Sequence, residues 1–597
     1  MRWRLAGWLG LVCLFGLATA AERSKESLGG LRYRVEFVGD FEPRWRPTFE
    51  QVSETYRWRE QRPVHTRRQL TRRMQADRDE LVEVLRSFGY YAPIVEARID
   101  DTSEVWRVVF AITVGQPYAV DRVVFENVGS GEAAAVELPA AEKFGLRPGL
   151  RLEAARVRAA RPQIVDHLKS RGYPFPRVSL REVVVDHERR SGVVVFVFDP
   201  GLRATFGDLE IEGLQRVERE YVERRVPWRV GQSFRLSLVN DFRRALQTDD
   251  LFSLVRVESA GEVDEDGRLS MRARLRERRS RTLRFGAGYQ TDTGPEFKAG
   301  WLHRNLRGEG ERLNFDLLLS AYNATAEGGY VIPDFRGREY SLELKGGYAA
   351  ERSDAYDTQS WYATSRLGRR LTPQLEVGGG IGYRLAMIDD FARRHQVGLL
   401  FFPLDLTWDS RDDILNPGQG WRLHLRMTPF VDTLNPEVFF LKTYGSAANY
   451  LELLAEPRLI LANRLAAGTI GADSLLDVPK DERFFTGGGG SVRGYGYQTV
   501  GPLSEDTPTG GLSMVEFSSE LRLRVTGRSG LVLFVDAGQT YPDAYPDFGE
   551  GMRWGCGVGY RFFTDFGPIR GDLAIPLNRR PGIDDRVYLY FSIGQAF

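Results

Sequence analysis

The sequence predicts α+β repeats followed by an all-β, sixteen-stranded transmembrane β-barrel. Three observations predict it. From about Ser280 to Phe597 the residues alternate apolar and polar at period two. Before that, a mixed helix-and-strand unit recurs about every eighty residues, too long for a solenoid repeat. After the first twenty residues no window is long and apolar enough for a membrane helix, which needs about 20 residues.

The chain opens Met1-Arg2-Trp3-Arg4, continues with an apolar run from Leu5 to Leu17, and reaches Ala18-Thr19-Ala20-Ala21-Glu22. A basic start, a short apolar core and a small-x-small site make residues 1–20 a secretory signal peptide. Cys13 lies inside it, so Cys556 has no partner for an intramolecular disulfide. A secreted chain without disulfides needs another source of stability, and a closed sheet in a bilayer supplies one. Lysine plus arginine number 82 against 81 acids, which leaves no global field to attract nucleic acid. The six histidines have no metal-ligand spacing.

The repeat shows at its joints. Phe110-Ala111-Ile112-Thr113-Val114-Gly115 leads into Val123-Val124-Phe125-Glu126-Asn127, and Phe196-Val197-Phe198-Asp199-Pro200-Gly201 leads into Leu209-Glu210-Ile211-Glu212-Gly213. At the helix ends, Leu85-Arg86-Ser87-Phe88-Gly89-Tyr90-Tyr91 returns as Leu168-Lys169-Ser170-Arg171-Gly172-Tyr173-Pro174. In both, glycine can take the left-handed C-cap conformation before an aromatic residue opens a strand. A third copy, Leu246-Gln247-Thr248-Asp249-Asp250-Leu251-Phe252, keeps the leucine and the aromatic without the glycine. These joints divide the arm into units 21–117, 118–203 and 204–278, each expected to read strand, two helices, two strands.

The remainder, 279–597, holds sixteen alternating segments, from 281–290 to 586–597. In the first, Leu283, Phe285, Ala287 and Tyr289 oppose Thr282, Arg284, Gly286 and Gly288. In 513–525, Val515, Phe517, Leu521, Leu523 and Val525 oppose Glu516, Glu520, Arg522 and Arg524. Strands between lipid and a wet lumen require this pattern. A soluble sandwich shows the same alternation, but the even count and a final segment with a terminal aromatic, Phe597, suit a barrel that closes last strand onto first.

One connection is long, from about Thr469 to Leu512. It contains Asp481-Glu482-Arg483-Phe484-Phe485-Thr486-Gly487-Gly488-Gly489-Gly490-Ser491-Val492-Arg493-Gly494-Tyr495-Gly496-Tyr497. Loops of this length are functional or disordered. The glycine run is no phosphate cradle, because no lysine followed by serine or threonine closes it, and Ser491 lacks the second glycine of a hydrolase elbow. No Ser/His/Asp or metal set stands out elsewhere, so an enzyme is not expected.

Val492-Arg493-Gly494-Tyr495 resembles the Val-Arg-Gly-aromatic tip of the bacterial outer-membrane insertase and transporter superfamily with periplasmic POTRA domains. The resemblance extends to Asp409-Ser410-Arg411-Asp412 with Asn416-Pro417 and Gly420, to Phe534-Val535-Asp536-Ala537-Gly538, to Gly567-Pro568-Ile569-Arg570, and to the ending Phe591-Ser592-Ile593-Gly594-Gln595-Ala596-Phe597. Within the superfamily, three units before sixteen strands are similar to the translocation and assembly module (TamA) branch. The general insertase (BamA) branch carries five units and two-partner secretion transporters carry two.

The resemblance implies an outer-membrane location with the arm in the periplasm. It further implies a loop folded into the lumen, with Arg493 paired to Asp536 or Glu520. It implies a carboxy-terminal assembly signal, carried here by Phe591, Ile593, Gly594 and Phe597, facing a first strand that carries Leu283, Phe285, Gly286 and Gly288. Glycines on both strands would let this seam open sideways and offer its edge to a client strand. The implied partners are client outer-membrane proteins or autotransporters, membrane lipid and a TamB-like periplasm-spanning protein, with no cofactor and no nucleic acid. A dedicated two-partner secretion transporter and a BamA-type general insertase remain the alternatives.

Overall fold

The computed structural model describes residues 31–62, 64–291, 293–390, 393–564 and 567–593. The expected signal segment, 1–20, lies outside them. The chain divides into two compact units. One runs to Glu210 and adds Val226–Arg243 and Val257–Ala273; the other takes Ile211–Arg225, Arg244–Arg256 and the chain from Arg274.

In the first unit, the strand Trp106–Thr113 is central, parallel to Tyr33–Gly39 and antiparallel to Ile94–Asp100. The helix Arg67–Ser87 buries Leu70, Met74, Leu81 and Leu85, spaced to share one face. The Thr66 side chain caps it by accepting the Gln69 N–H. A second sheet repeats this order with Ala119–Asn127, Ser191–Asp199 and Arg177–Asp186 under the helix Ala154–Ser170. Of the two helices expected per repeat, the first is here only two 3-10 turns, Gly131–Ala135 and Ala141–Phe144. Pro139 between them and Gly145 after them interrupt any longer helix. A third sheet has the order Thr205–Glu212, Arg268–Glu277, Phe252–Ser259.

The joints between repeats follow one hydrogen-bonding scheme. The Gly89 carbonyl accepts the Tyr118 N–H at 2.8 Å, and the Tyr118 carbonyl accepts that of Leu152 at 2.8 Å. In the next copy, Gly172 accepts from Ala204 at 2.8 Å and Ala204 from Phe234 at 2.9 Å. Gly89 and Gly172 have φ of +92° and +107°, as a left-handed cap requires. At the first joint the Arg151 guanidinium lies 5.6 Å from the Tyr90 ring centre and 5.9 Å from that of Trp45, and pairs with Glu42 at 3.2 Å and Glu153 at 2.5 Å.

The helix Leu236–Thr248 gives way to Asp249-Asp250. Asp250 takes the glycine's place with φ +57°. Arg225, almost fully buried, pairs with Asp249, lies 2.8 Å from Asp334 and stacks 3.6 Å from the Tyr221 ring centre.

Sixteen antiparallel strands form the closed barrel. The eighth is broken at Phe402-Pro403 into Arg394–Phe401 and Leu404–Asp409, since proline has no N–H for the ladder. Leu283, Phe285, Phe315, Trp361, Leu465, Leu533 and Leu573 expose large apolar surfaces on the outer face. An apolar belt of this extent needs lipid around it. The first strand, Arg281–Gln290, pairs along its whole length with the second. Across the closing seam, only Tyr289 with Phe591 and Gln290 with Tyr590 are in ladder register among the described residues.

Candidate functional site

The connection between the strands Arg458–Gly471 and Ser513–Arg524 turns back into the lumen. Its own narrow hairpin forms through bridges from Phe484 to Gly511 and from Thr486 to Val500. Gly494 has φ +96°, and a Cβ there would lie 2.8 Å from the Ile575 carbonyl oxygen. Only glycine lets the backbone come that close. Val492 and Tyr495 on either side are fully buried.

Arg493 is 2% exposed and meets three carboxylates. Its Nε donates to Asp536 Oδ2 at 2.6 Å and its Nη2 to Oδ1 at 2.9 Å, a two-pronged contact that a planar guanidinium makes and an ammonium does not. Its Nη1 donates to Glu520 Oε1 at 2.8 Å and to Asp572 Oδ2 at 3.3 Å. The guanidinium also lies 3.5 Å from the Phe534 ring centre. Phe534 and Asp536 share the inward face, so the ring and the carboxylate grip the same cation.

The three acids hold further partners. Glu520 accepts from Arg522 at 2.8 Å, Asp572 from Arg561, and Asp536 from the Ser518 hydroxyl at 2.6 Å. Buried charges are tolerable in such a network because each is paired and hydrogen-bonded. Beyond the arginine, Gly494 donates its N–H to the Tyr590 hydroxyl at 3.2 Å, and Tyr495 donates its hydroxyl to Asn578 Oδ1 at 2.5 Å.

The structure therefore brings Val492, Arg493, Gly494 and Tyr495 together with both Asp536 and Glu520. Sequence reasoning missed Asp572, Ser518 and Tyr590. A signal for Asp572 existed: it stands two residues after Arg570 on the same face of a strand, and one buried guanidinium has more donors than one carboxylate satisfies.

At the seam, Leu283 and Phe285 face outward, exposed at 65% and 71%. Gly286 and Gly288 lie on the other face. A Cβ at Gly288 would sit 3.3 Å from the Phe591 carbonyl oxygen. Ile593 ends the last described strand, Tyr588–Ile593, while Gly594 and Phe597 lie outside the described residues.

Residues 305–597 match the model of the Omp85 superfamily domain. The outer membrane protein assembly factor BamA of Neisseria meningitidis is 22% identical over 589 residues, covering 87% of this chain and 72% of that protein. The same factor from Nitratidesulfovibrio vulgaris is 23% identical over 458 residues, covering 72% and 56%. The crystal structure of BamA from Haemophilus ducreyi lacking POTRA domains 1–3 superposes with a TM-score of 0.63 at 17% identity, covering 80% of this chain and all of that one. The fold is that of POTRA domains followed by a sixteen-stranded barrel, as the sequence led us to expect. The chain is a Gram-negative outer-membrane protein whose POTRA domains lie in the periplasm.

Proposed function

We propose that this chain is the outer-membrane subunit of a translocation and assembly module, a non-enzymatic device that inserts or translocates client proteins such as outer-membrane proteins and autotransporters. Its parts are three POTRA-like domains, 21–117, 118–203 and 204–278, and the barrel 279–597. The observation that supports the reading is the seam itself: among the described residues the first strand meets the last in register at Tyr289 with Phe591 and Gln290 with Tyr590, next to Gly286 and Gly288 on the first strand. Glycines on this strand invite a bend, and an edge opened there offers backbone donors and acceptors to a client strand. No nucleotide motif supplies energy, so client folding into the bilayer or a companion protein must. A TamB-like periplasm-spanning protein is the companion this reading calls for. A BamA-type general insertase is the second reading, favoured by the names of the relatives.

The register pair Tyr289→Cys and Phe591→Cys tests the seam. A fully formed crosslink should stop client assembly, and reduction should restore it; normal assembly by the crosslinked protein would sink the seam reading. Crosslinked pull-down from membranes separates the branches. A large periplasm-spanning partner supports the module, while small assembly lipoproteins or one exported adhesin move the chain elsewhere.

A further inference from the structure

The lumen loop has a second ionic anchor, far around the barrel from Arg493. Arg384, on the strand Leu375–Asp389, places Nη1 2.8 Å from Asp481 Oδ2 and Nη2 3.2 Å from Glu482 Oε1. Lys442, on the strand Phe439–Ala455, donates to the Glu482 carbonyl at 2.7 Å and lies 3.1 Å from Oε2 of the same residue. Thr358 adds a hydroxyl to Asp481 at 3.4 Å, and the Lys442 ammonium sits 5.2 Å from the Phe484 ring centre. Two cations meet two anions, so the cluster is neutral. Further along, Tyr497 and Gln498 both reach Glu351, at 3.0 and 2.9 Å.

The two anchors hold different walls. Arg493 binds acids on the twelfth, thirteenth and fifteenth strands; Asp481 and Glu482 bind cations on the seventh and tenth. They also differ in how fully their donors are used. Arg493 donates to carboxylates from all three of its nitrogens, whereas Arg384 donates to Asp481 from Nη1 and its Nε and Nη2 are buried without a hydrogen-bond partner among the described residues. Parting a fully paired guanidinium from three buried carboxylates strands more charge than parting one whose donors are only partly used, so the second anchor is the weaker of the two.

We propose that Arg384 and Lys442 are positioning residues that hold the loop across the barrel, and that this end is the one that releases. Release there would free the segment around Phe484 and Phe485 while Val492-Arg493-Gly494-Tyr495 stays fixed to the strands next to the seam. The loop then works as a strut with one permanent and one detachable foot.

Chymotrypsin added to the full-length protein in outer membranes reports each foot separately, after Phe484 or Phe485 for one and after Tyr495 for the other. Wild type should resist at all three. Arg384→Glu should keep the heat-modifiable mobility of a folded barrel, be cut at least about tenfold faster at Phe484 or Phe485, and remain uncut at Tyr495, because cleavage follows the population of the opened segment. Combining Arg384→Glu with Asp481→Arg should restore resistance, which a merely disrupted wall would not do. If Arg384→Glu fails to fold, Lys442→Met tests the same foot. Folded single variants that resist like wild type, simultaneous cutting at Tyr495, or no recovery in the swapped pair would each overturn the proposal. The readout needs no client, so such a result counts against the second anchor alone, and the seam disulfide judges the assembly reading independently.

Discussion

Asp250 turns the chain with a φ of +57° and at the same position sets its carboxylate 2.8 Å from Arg304 Nε. Gly89 and Gly172 do only the turning in their copies of the repeat. An aspartate tolerates this conformation better than most residues, at a cost of about 1 kcal/mol against glycine. In return it gains Arg304 and, at 3.2 Å, Arg278. Half-exposed pairs of this kind contribute about 0.2–1 kcal/mol each.

Replacing Asp250 separates the two roles. Asp250→Gly should be close to neutral, since lost ion pairs and relieved backbone strain oppose one another. Asp250→Val should cost about 2 kcal/mol or more, because a β-branched residue resists positive φ. Hydrogen exchange of the Arg278 amide, which donates to the Leu251 carbonyl at 2.7 Å, reads both outcomes.

At the loop tip, Arg493→Ala should weaken the folded state by about 3–5 kcal/mol, because three buried carboxylates lose their shared cation. Arg493→Lys should recover only part, as an ammonium cannot span Asp536 and Glu520 in the same way. Adding Asp536→Asn to Arg493→Ala should be milder than the sum of the two single changes. Folded fractions in a urea series, read by heat-modifiable mobility, check all three; strict additivity would contradict the shared network.

Acid should loosen one periplasmic turn first. Burial alone would raise the Glu277 carboxyl, but it accepts the N–H groups of Gln215, Arg216 and Val217, which together hold it below its ordinary 4.5. A lowered carboxylate contributes stability that is fully present above the unfolded value and is lost as pH falls through the folded one. Protection of the Gln215–Val217 amides, corrected for intrinsic exchange, should therefore hold down to about pH 4.5 and decline below it. Glu277→Ala should show the weakened state at neutral pH already.

Arg151→Ala should loosen the first joint without unfolding either sheet. It removes cation–π contacts and partly exposed ion pairs worth about 1–2 kcal/mol in all. Spin labels at Arg68 and Glu188 should show a broader distance distribution in the variant. An unchanged distribution would mean that the Gly89–Tyr118–Leu152 hydrogen bonds hold the joint alone.

Much of the barrel was legible because lipid on one side and water on the other force alternation on every strand. The sixteen strands fall where the alternating segments do, and the break in the eighth occurs at a proline within the segment read as 396–409. Less could be read where backbone geometry decides. Asp250 does not announce a left-handed turn as glycine does, and the Ala-rich stretch near Ala133 suggests more helix than its flanking breakers allow. The inward fold of the loop came from the resemblance of its tip, since composition does not say which way a connection folds. Asp572 and Tyr590 become partners of that tip only after closure brings the last strands beside it.

The hydrogen bond from Gly494 to the Tyr590 hydroxyl has a further consequence. A slip of the last strand by one residue would turn Tyr590 toward lipid. A slip by two would carry it about 7 Å along the barrel wall, out of the glycine's reach. The loop tip is thus a gauge of alignment: it is satisfied at a single setting of the final strand, and any client that displaced that strand would announce itself to the lumen through this one hydroxyl.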